Sequence, residues 1–236
     1  MGRVQDKIAI ITGAGKGLGE ADALLLAKEG ARVIVADIDE QAGRRVASEI
    51  GARAQFVQHD VAEEASWQAL MDAVLREHGR LDILVNNAGI VVTGSIEDAT
   101  AEEFRAVMAV NAGGTFFGCK HGIKAMKKTG GGSIINIGSF AAVKGLAFVT
   151  AYSASKGAVD ALTRAVVAHC VENKLNIRCN TIHPGGFDTP MTRGVTGRPG
   201  GADPIDIAHA VLFLASDEAR SVNGHTMRVD NAATAF

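Results

Sequence analysis

At 236 residues, 47% hydrophobic and 21% charged, the chain can bury a substantial core and most economically forms one domain. Its formal net charge is only -2 and its cations are scattered apart from Lys124, Lys127 and Lys128, which read as a solvated helix face; no nucleic-acid partner is expected. Charges interrupt every apolar run short of the ~20 residues a membrane helix needs, and the run at residues 8–11 is too short for a signal segment, so no membrane partner and a cytoplasmic location are expected.

In chain order, short apolar runs at residues 7–11, 32–36, 54–58, 83–85, 133–137, 177–182 and 225–229 read as strands buried on both faces. Amphipathic stretches separate them, with Leu24, Leu25 and Ala27 after the first run and Trp67, Leu70, Met71, Val74 and Leu75 after the third. That alternation predicts an α/β fold, a single doubly wound domain over residues 1–236 with a seven-stranded parallel sheet flanked by helices. Trp67 reads as core. Cys119, Cys170 and Cys179 are odd in number, without CxxC spacing, and read as buried free thiols with no metal site. The proline- and glycine-rich stretch 189–203 reads as a short, mobile substrate loop.

The first strand runs into Thr12-Gly13-Ala14-Gly15-Lys16-Gly17-Leu18-Gly19 and then a helix. Glycines in such a turn let the backbone approach a pyrophosphate, whose charge sits among the free N–H groups of the helix N-terminus. The second strand ends at Asp37, where a carboxylate can accept from the adenine-side ribose and repel the extra phosphate of NADP. Lys16 points weakly toward NADP; Asp37 is weighted more heavily, so NAD is the expected cofactor. A plain strand-to-helix loop, and a capping role for Asp37, remain as alternatives at this point.

Tyr152, the only tyrosine, precedes Lys156 by four residues in a helix-like run at 151–170, which puts both on one helix face with a rise of ~6 Å. A phenol of pKa ≈ 10 needs a nearby cation to serve as a base at neutral pH, and Lys156 is positioned to lower it. Ser139, at a strand end, is placed to orient a substrate oxygen.

With these features in order, the chain resembles the short-chain dehydrogenase/reductase family along nearly its whole length. The matching motifs are TGxxxGxG at residues 12–19, Asp37, Asp60-Val61, Asn86-Asn87-Ala88-Gly89, Asn111, Ser139, the YxxxK of Tyr152 and Lys156, and Pro184-Gly185 with Thr189. The resemblance implies a Rossmann fold, Tyr152 as general acid/base, Ser139 positioning substrate, Lys156 holding the nicotinamide ribose and Asn111 completing a proton relay. It places Asp60 at the adenine, Asn87 along the cofactor cleft and Thr189 at the carboxamide. Further cofactor contacts are expected at Gly13, Lys16, Gly17, Leu18, Gly19, Val61, Ala88, Gly89, Pro184, Gly185 and Phe187. It also implies a homotetramer.

Three departures stand out. Gly138 replaces a frequent serine, which is expected to enlarge the pocket beside Ser139; the loop after Pro190 is short; and Val229-Asp230-Asn231 replaces a frequent Asp-Gly-Gly. Phe140, Val143, Leu146, Phe148 and Phe187 are the expected substrate-facing residues, suited to a small apolar alcohol or ketone, and the local sequence is similar to bacterial hydroxysteroid and secondary-alcohol dehydrogenases. The expected function is therefore NAD-dependent hydride transfer at an apolar secondary alcohol or ketone. A reductase of carrier-linked 3-oxoacyl groups and a non-catalytic nucleotide-binding regulator are the alternatives.

Overall fold

The computed structural model describes residues 2–235. β1 (Ile8–Thr12), β2 (Arg32–Asp37), β3 (Ala54–Gln58), β4 (Ile83–Asn86), β5 (Gly132–Ile137), β6 (Ile177–Pro184) and β7 (Thr226–Val229) form one parallel sheet in the order β3-β2-β1-β4-β5-β6-β7. β1 pairs with β2 through Thr12↔Ala36 and with β4 through Ile11↔Val85. The strand order reverses between β1 and β4, which opens a crevice at their carboxyl ends, where doubly wound sheets bind ligands.

Strand periodicity explains the two layers. Successive side chains of β1 point to opposite faces. Ala9 and Ile11 join a core with α1 (Gly17–Lys28), α2 (Glu40–Ile50) and α8 (Ile205–Ala215); Ile8 and Ile10 join another with α3 (Glu64–His78), α5 (Gly114–Met126) and α6 (Thr150–Glu172). Trp67 is fully buried in the second core, and its indole N–H donates to Val61 O at 3.0 Å. All three cysteines are buried and free, while Lys124, Lys127 and Lys128 are exposed.

Two expectations change. The edge strands β3 and β7 are half-buried, because each has a neighbour on one side only. The stretch read as a mobile loop contains α7 (Pro190–Thr196), built by Thr189 as N-cap, Pro190 in the first turn and a left-handed Gly197 at its end. Asp188 forks onto Arg193 at 2.8 and 2.9 Å, and Ala202 exchanges backbone hydrogen bonds with Gly186 and Asp188. Proline and glycine here cap a short helix, so their composition misled the loop reading. No described helix is long and apolar enough to cross a membrane.

Candidate active site

Gly13 leaves β1 with φ of 63°, in the left-handed region that glycine tolerates, and a Cβ there would lie 2.8 Å from Ala88 Cα. The turn is laced to the end of β4. Thr12 Oγ1 accepts from the backbone N–H groups of Asn87 and Ala88 at 3.0 and 3.1 Å, and Asn87 Nδ2 donates to Thr12 O at 2.8 Å and Gly13 O at 3.1 Å. Asn87 thus lines the cleft while spending its amide on the turn. Gly19 sits behind it, where a Cβ would collide with Asn87 Nδ2, so it serves close packing and does not line the cleft.

Asp37 is buried at the end of β2, and its two oxygens accept from Gly15 N at 2.7 Å and Asp39 N at 2.9 Å. Lys16 is exposed on the cleft rim beside Gly17 and Leu18. Asp60 and Val61 line the same end, with Asp60 Oδ1 accepting from Ala62 N at 2.9 Å. Beneath them His59 meets Trp67 edge-on at 4.4 Å, and burial drives its pKa down to about 4.

The other end carries the acid/base candidates. α6 presents Tyr152 and Lys156, with Lys156 Nζ 5.6 Å from the Tyr152 ring centroid and donating to Ile137 O at 2.8 Å. Ser139 follows β5, lies close enough to the Tyr152 phenol to oppose the rise of its pKa, and accepts from Ala141 N at 3.1 Å. The electrostatics correct the sequence expectation. Burial pushes the Tyr152 phenol above its ordinary value, opposed by the nearby Ser139 hydroxyl, and burial pulls Lys156 down to about 8. Burial, opposed by Ser139 and not by the ammonium, governs the phenol.

Asn111 is completely buried in a π-helical turn, Met108–Gly113, between α4 (Ala101–Val107) and α5. Its Oδ1 accepts from Ile90 N at 2.8 Å, and its Nδ2 donates to Ile90 O and Ser155 Oγ, both at 2.9 Å. The amide ties the Gly89-Ile90 loop to α6 and does not line the cavity. A Cβ on Gly89 would lie 3.2 Å from Asn111 Oδ1 and 3.5 Å from Lys156 Nζ, so these three groups share one corner.

A single cavity of about 520 Å³ joins both ends. Besides the turn, Asp37 and Asp60, it is lined by Ala88, Gly89, Ser139, Tyr152 and Lys156 in the middle, with Pro184, Gly185, Phe187 and Thr189 across from them. Thr189 Oγ1 accepts from Thr192 N at 3.2 Å as the cap of α7. Phe140, Leu146 and Phe148 form part of the apolar wall, but Val143 is exposed and outside it. Sequence reading missed Ile90, Val91, Met191 and Val195 on this wall. Met191 and Val195 are four apart, a helical signal hidden by the proline and glycines around them. Gly138 does not enlarge the pocket: the room a side chain would occupy is filled by the His183 ring.

Residues 7–199 match the family model described as short chain dehydrogenase. The chain belongs to the short-chain dehydrogenases. It is 44% identical to a 3-beta-hydroxysteroid dehydrogenase of Comamonas testosteroni, over 98% of this chain and 96% of that protein. It is 40% identical to a trans-4-hydroxycyclohexanecarboxylate dehydrogenase of Sinomonas cyclohexanicum (99% and 95%), and 38% identical to an NADP-dependent (R)-specific alcohol dehydrogenase of Lentilactobacillus kefiri (99% and 98%). As a short-chain dehydrogenase it is an oxidoreductase of a nicotinamide-dependent family. The residues present fit that cofactor: the side-chain-free approach at Gly13, the open N-terminus of α1 and the elongated cavity form a cradle suited to a dinucleotide.

Proposed function

We propose that this chain is an NAD-dependent dehydrogenase of apolar secondary alcohols, with alicyclic and steroid alcohols as the substrate class. The observation that carries this reading is the placement of Tyr152, Ser139 and Lys156 where the cofactor cradle opens onto an apolar wall. The steroid and cyclohexane alcohols in the relatives' names support the substrate class.

The nicotinamide cofactor supplies the hydride acceptor for alcohol oxidation and the donor for carbonyl reduction. In this reading Ser139 Oγ orients the substrate oxygen toward the Tyr152 phenol, which takes the hydroxyl proton in oxidation and returns one in reduction. Lys156, swung from Ile137 O, holds the ribose end of the cofactor, and its ammonium then opposes the burial that keeps Tyr152 protonated. Asn111 keeps the Gly89-Ile90 loop and α6 in register beneath it. Phe187, Met191 and Val195 shield the reacting atoms from water.

Asp37 supports NAD, because a buried carboxylate at the end of β2 would repel the extra phosphate of NADP. Lys16 and the NADP-dependent relative weigh on the other side. The test is cofactor reduction with NAD and NADP against a panel of steroid and alicyclic alcohols. Turnover with NAD should exceed that with NADP, and Tyr152→Phe should lower kcat by about 10²–10⁴-fold. Undiminished turnover in Tyr152→Phe would remove the mechanism. Oxidation should speed up as pH rises, since it consumes the phenolate, and reduction should slow.

A cytoplasmic homotetramer completes the reading. Phe104 on α4 and Phe116 on α5 are each nearly half exposed, which supports self-association through that side. Light scattering coupled to size exclusion should give four times the chain mass; a monomer at micromolar concentration would refute it.

A further inference from the structure

A Cβ added to Gly138 would lie 2.5 Å from His183 Cδ2 and 2.8 Å from its Nε2, so the two residues occupy one slot at the ends of β5 and β6. The His183 ring is completely buried, and its Nε2 lies 2.8 Å from Asp160 Oδ1. A carboxylate can only accept, so Nε2–H donates. Nδ1 is buried with no partner among the described residues, so Asp160 alone fixes the ring's orientation by a hydrogen bond.

Asp160 follows Lys156 by one helical turn and Tyr152 by two on α6. The contacts therefore close a loop. α6 reaches β6 through Asp160 and His183, the ring abuts Gly138, Gly138 N donates to Ile182 O at 2.7 Å, and Ile137 O returns to α6 through Lys156 Nζ. Ser139 is the next residue along the chain. Turning the Lys156 ammonium to a ligand would break its tie to Ile137 O, whereas the Asp160–His183 tie does not involve that ammonium.

We propose that His183 and Asp160 are positioning residues which, by wedging the ring under Gly138, hold the Ser139 hydroxyl at the Tyr152 phenol. This rests on the reading of Tyr152 as the acid/base, and the measurement is chosen to be independent of turnover. Tyr152 is the only tyrosine, so the near-ultraviolet absorbance of phenolate in the cofactor-free protein titrates that single group.

His183→Ala should raise the Tyr152 midpoint by about one pH unit, a tenfold loss of phenolate at a given pH below it, because the Ser139 hydroxyl drifts from the phenol. kcat should fall by about tenfold with the KM for cofactor unchanged. His183→Gln, whose amide can donate to Asp160, should restore both. Ser139→Ala should raise the midpoint by the same amount, and adding His183→Ala to it should raise it no further. Gly138→Ala, which pushes on the ring from the other side, should act like His183→Ala and serves if that variant does not fold. Wild-type midpoints in the folded variants, or an effect additive with Ser139→Ala, would overturn the proposal. Failure of both His183→Ala and Gly138→Ala to fold would also overturn it, since the contact would then serve stability alone. Turnover surviving in Tyr152→Phe would instead strike at the proposed function and leave the titration interpretable.

Discussion

Asp37 does two things with one carboxylate. It accepts from Gly15 N and Asp39 N, which shapes the turn, and it places a carboxylate beside the glycine-turn end of the cavity. Asp37→Ala removes both. The ratio of kcat/KM for NAD over NADP should fall by about tenfold or more, as expected for losing some ~1.4 kcal/mol of discrimination. An unchanged ratio would transfer cofactor choice to Lys16 and its neighbours. Position and acidity of Asp37 were legible in the sequence because it ends a strand of clear hydrophobic pattern. Its hydrogen bond to Gly15 was not, since that bond joins residues 22 apart at the carboxyl ends of two neighbouring strands.

At the scale of elements, α3 supports that same end of the cavity from below. Trp67 fills the second core, donates to Val61 O and packs on His59, so one side chain links the helix to the cleft floor. Trp67→Ala should cost about 3–5 kcal/mol in denaturant unfolding, the range for emptying a large aromatic site. A loss under about 1 kcal/mol would mean that the floor collapses readily. The helical pattern of α3 and its buried tryptophan were both expected from periodicity. α7 was not, because its signals are caps rather than an apolar period: Thr189, Pro190 and Gly197 delimit only seven residues. Met191 and Val195 consequently gave no sign of belonging to the cavity wall until the backbone placed them there.

For the whole molecule, buried His59 makes global stability depend on pH. Its folded pKa of about 4 lies below the ordinary 6.5, so its contribution is fully present above pH 6.5 and is lost as pH falls toward 4. The loss should reach up to about 3 kcal/mol, because each pH unit separating the folded from the ordinary value is worth about 1.36 kcal/mol. Melting curves of wild type and His59→Gln should converge as pH drops through that window; parallel curves would exclude His59 as the source.

The amino-acid sequence by itself determined the alternation of strands and helices, the glycine turn and the Tyr152–Lys156 pair. Each is a local pattern, set by a period of two or 3.6 residues or by a few positions along one backbone. The tertiary structure alone decided the rest. It filled the space at Gly138 with a ring 45 residues away, occupied the amides of Asn87 and Asn111, and moved Val143 out of the cavity. It also reversed the expected direction for Tyr152. A four-residue spacing brings the ammonium close, but the desolvation that raises the phenol and lowers the amine depends on everything packed around them.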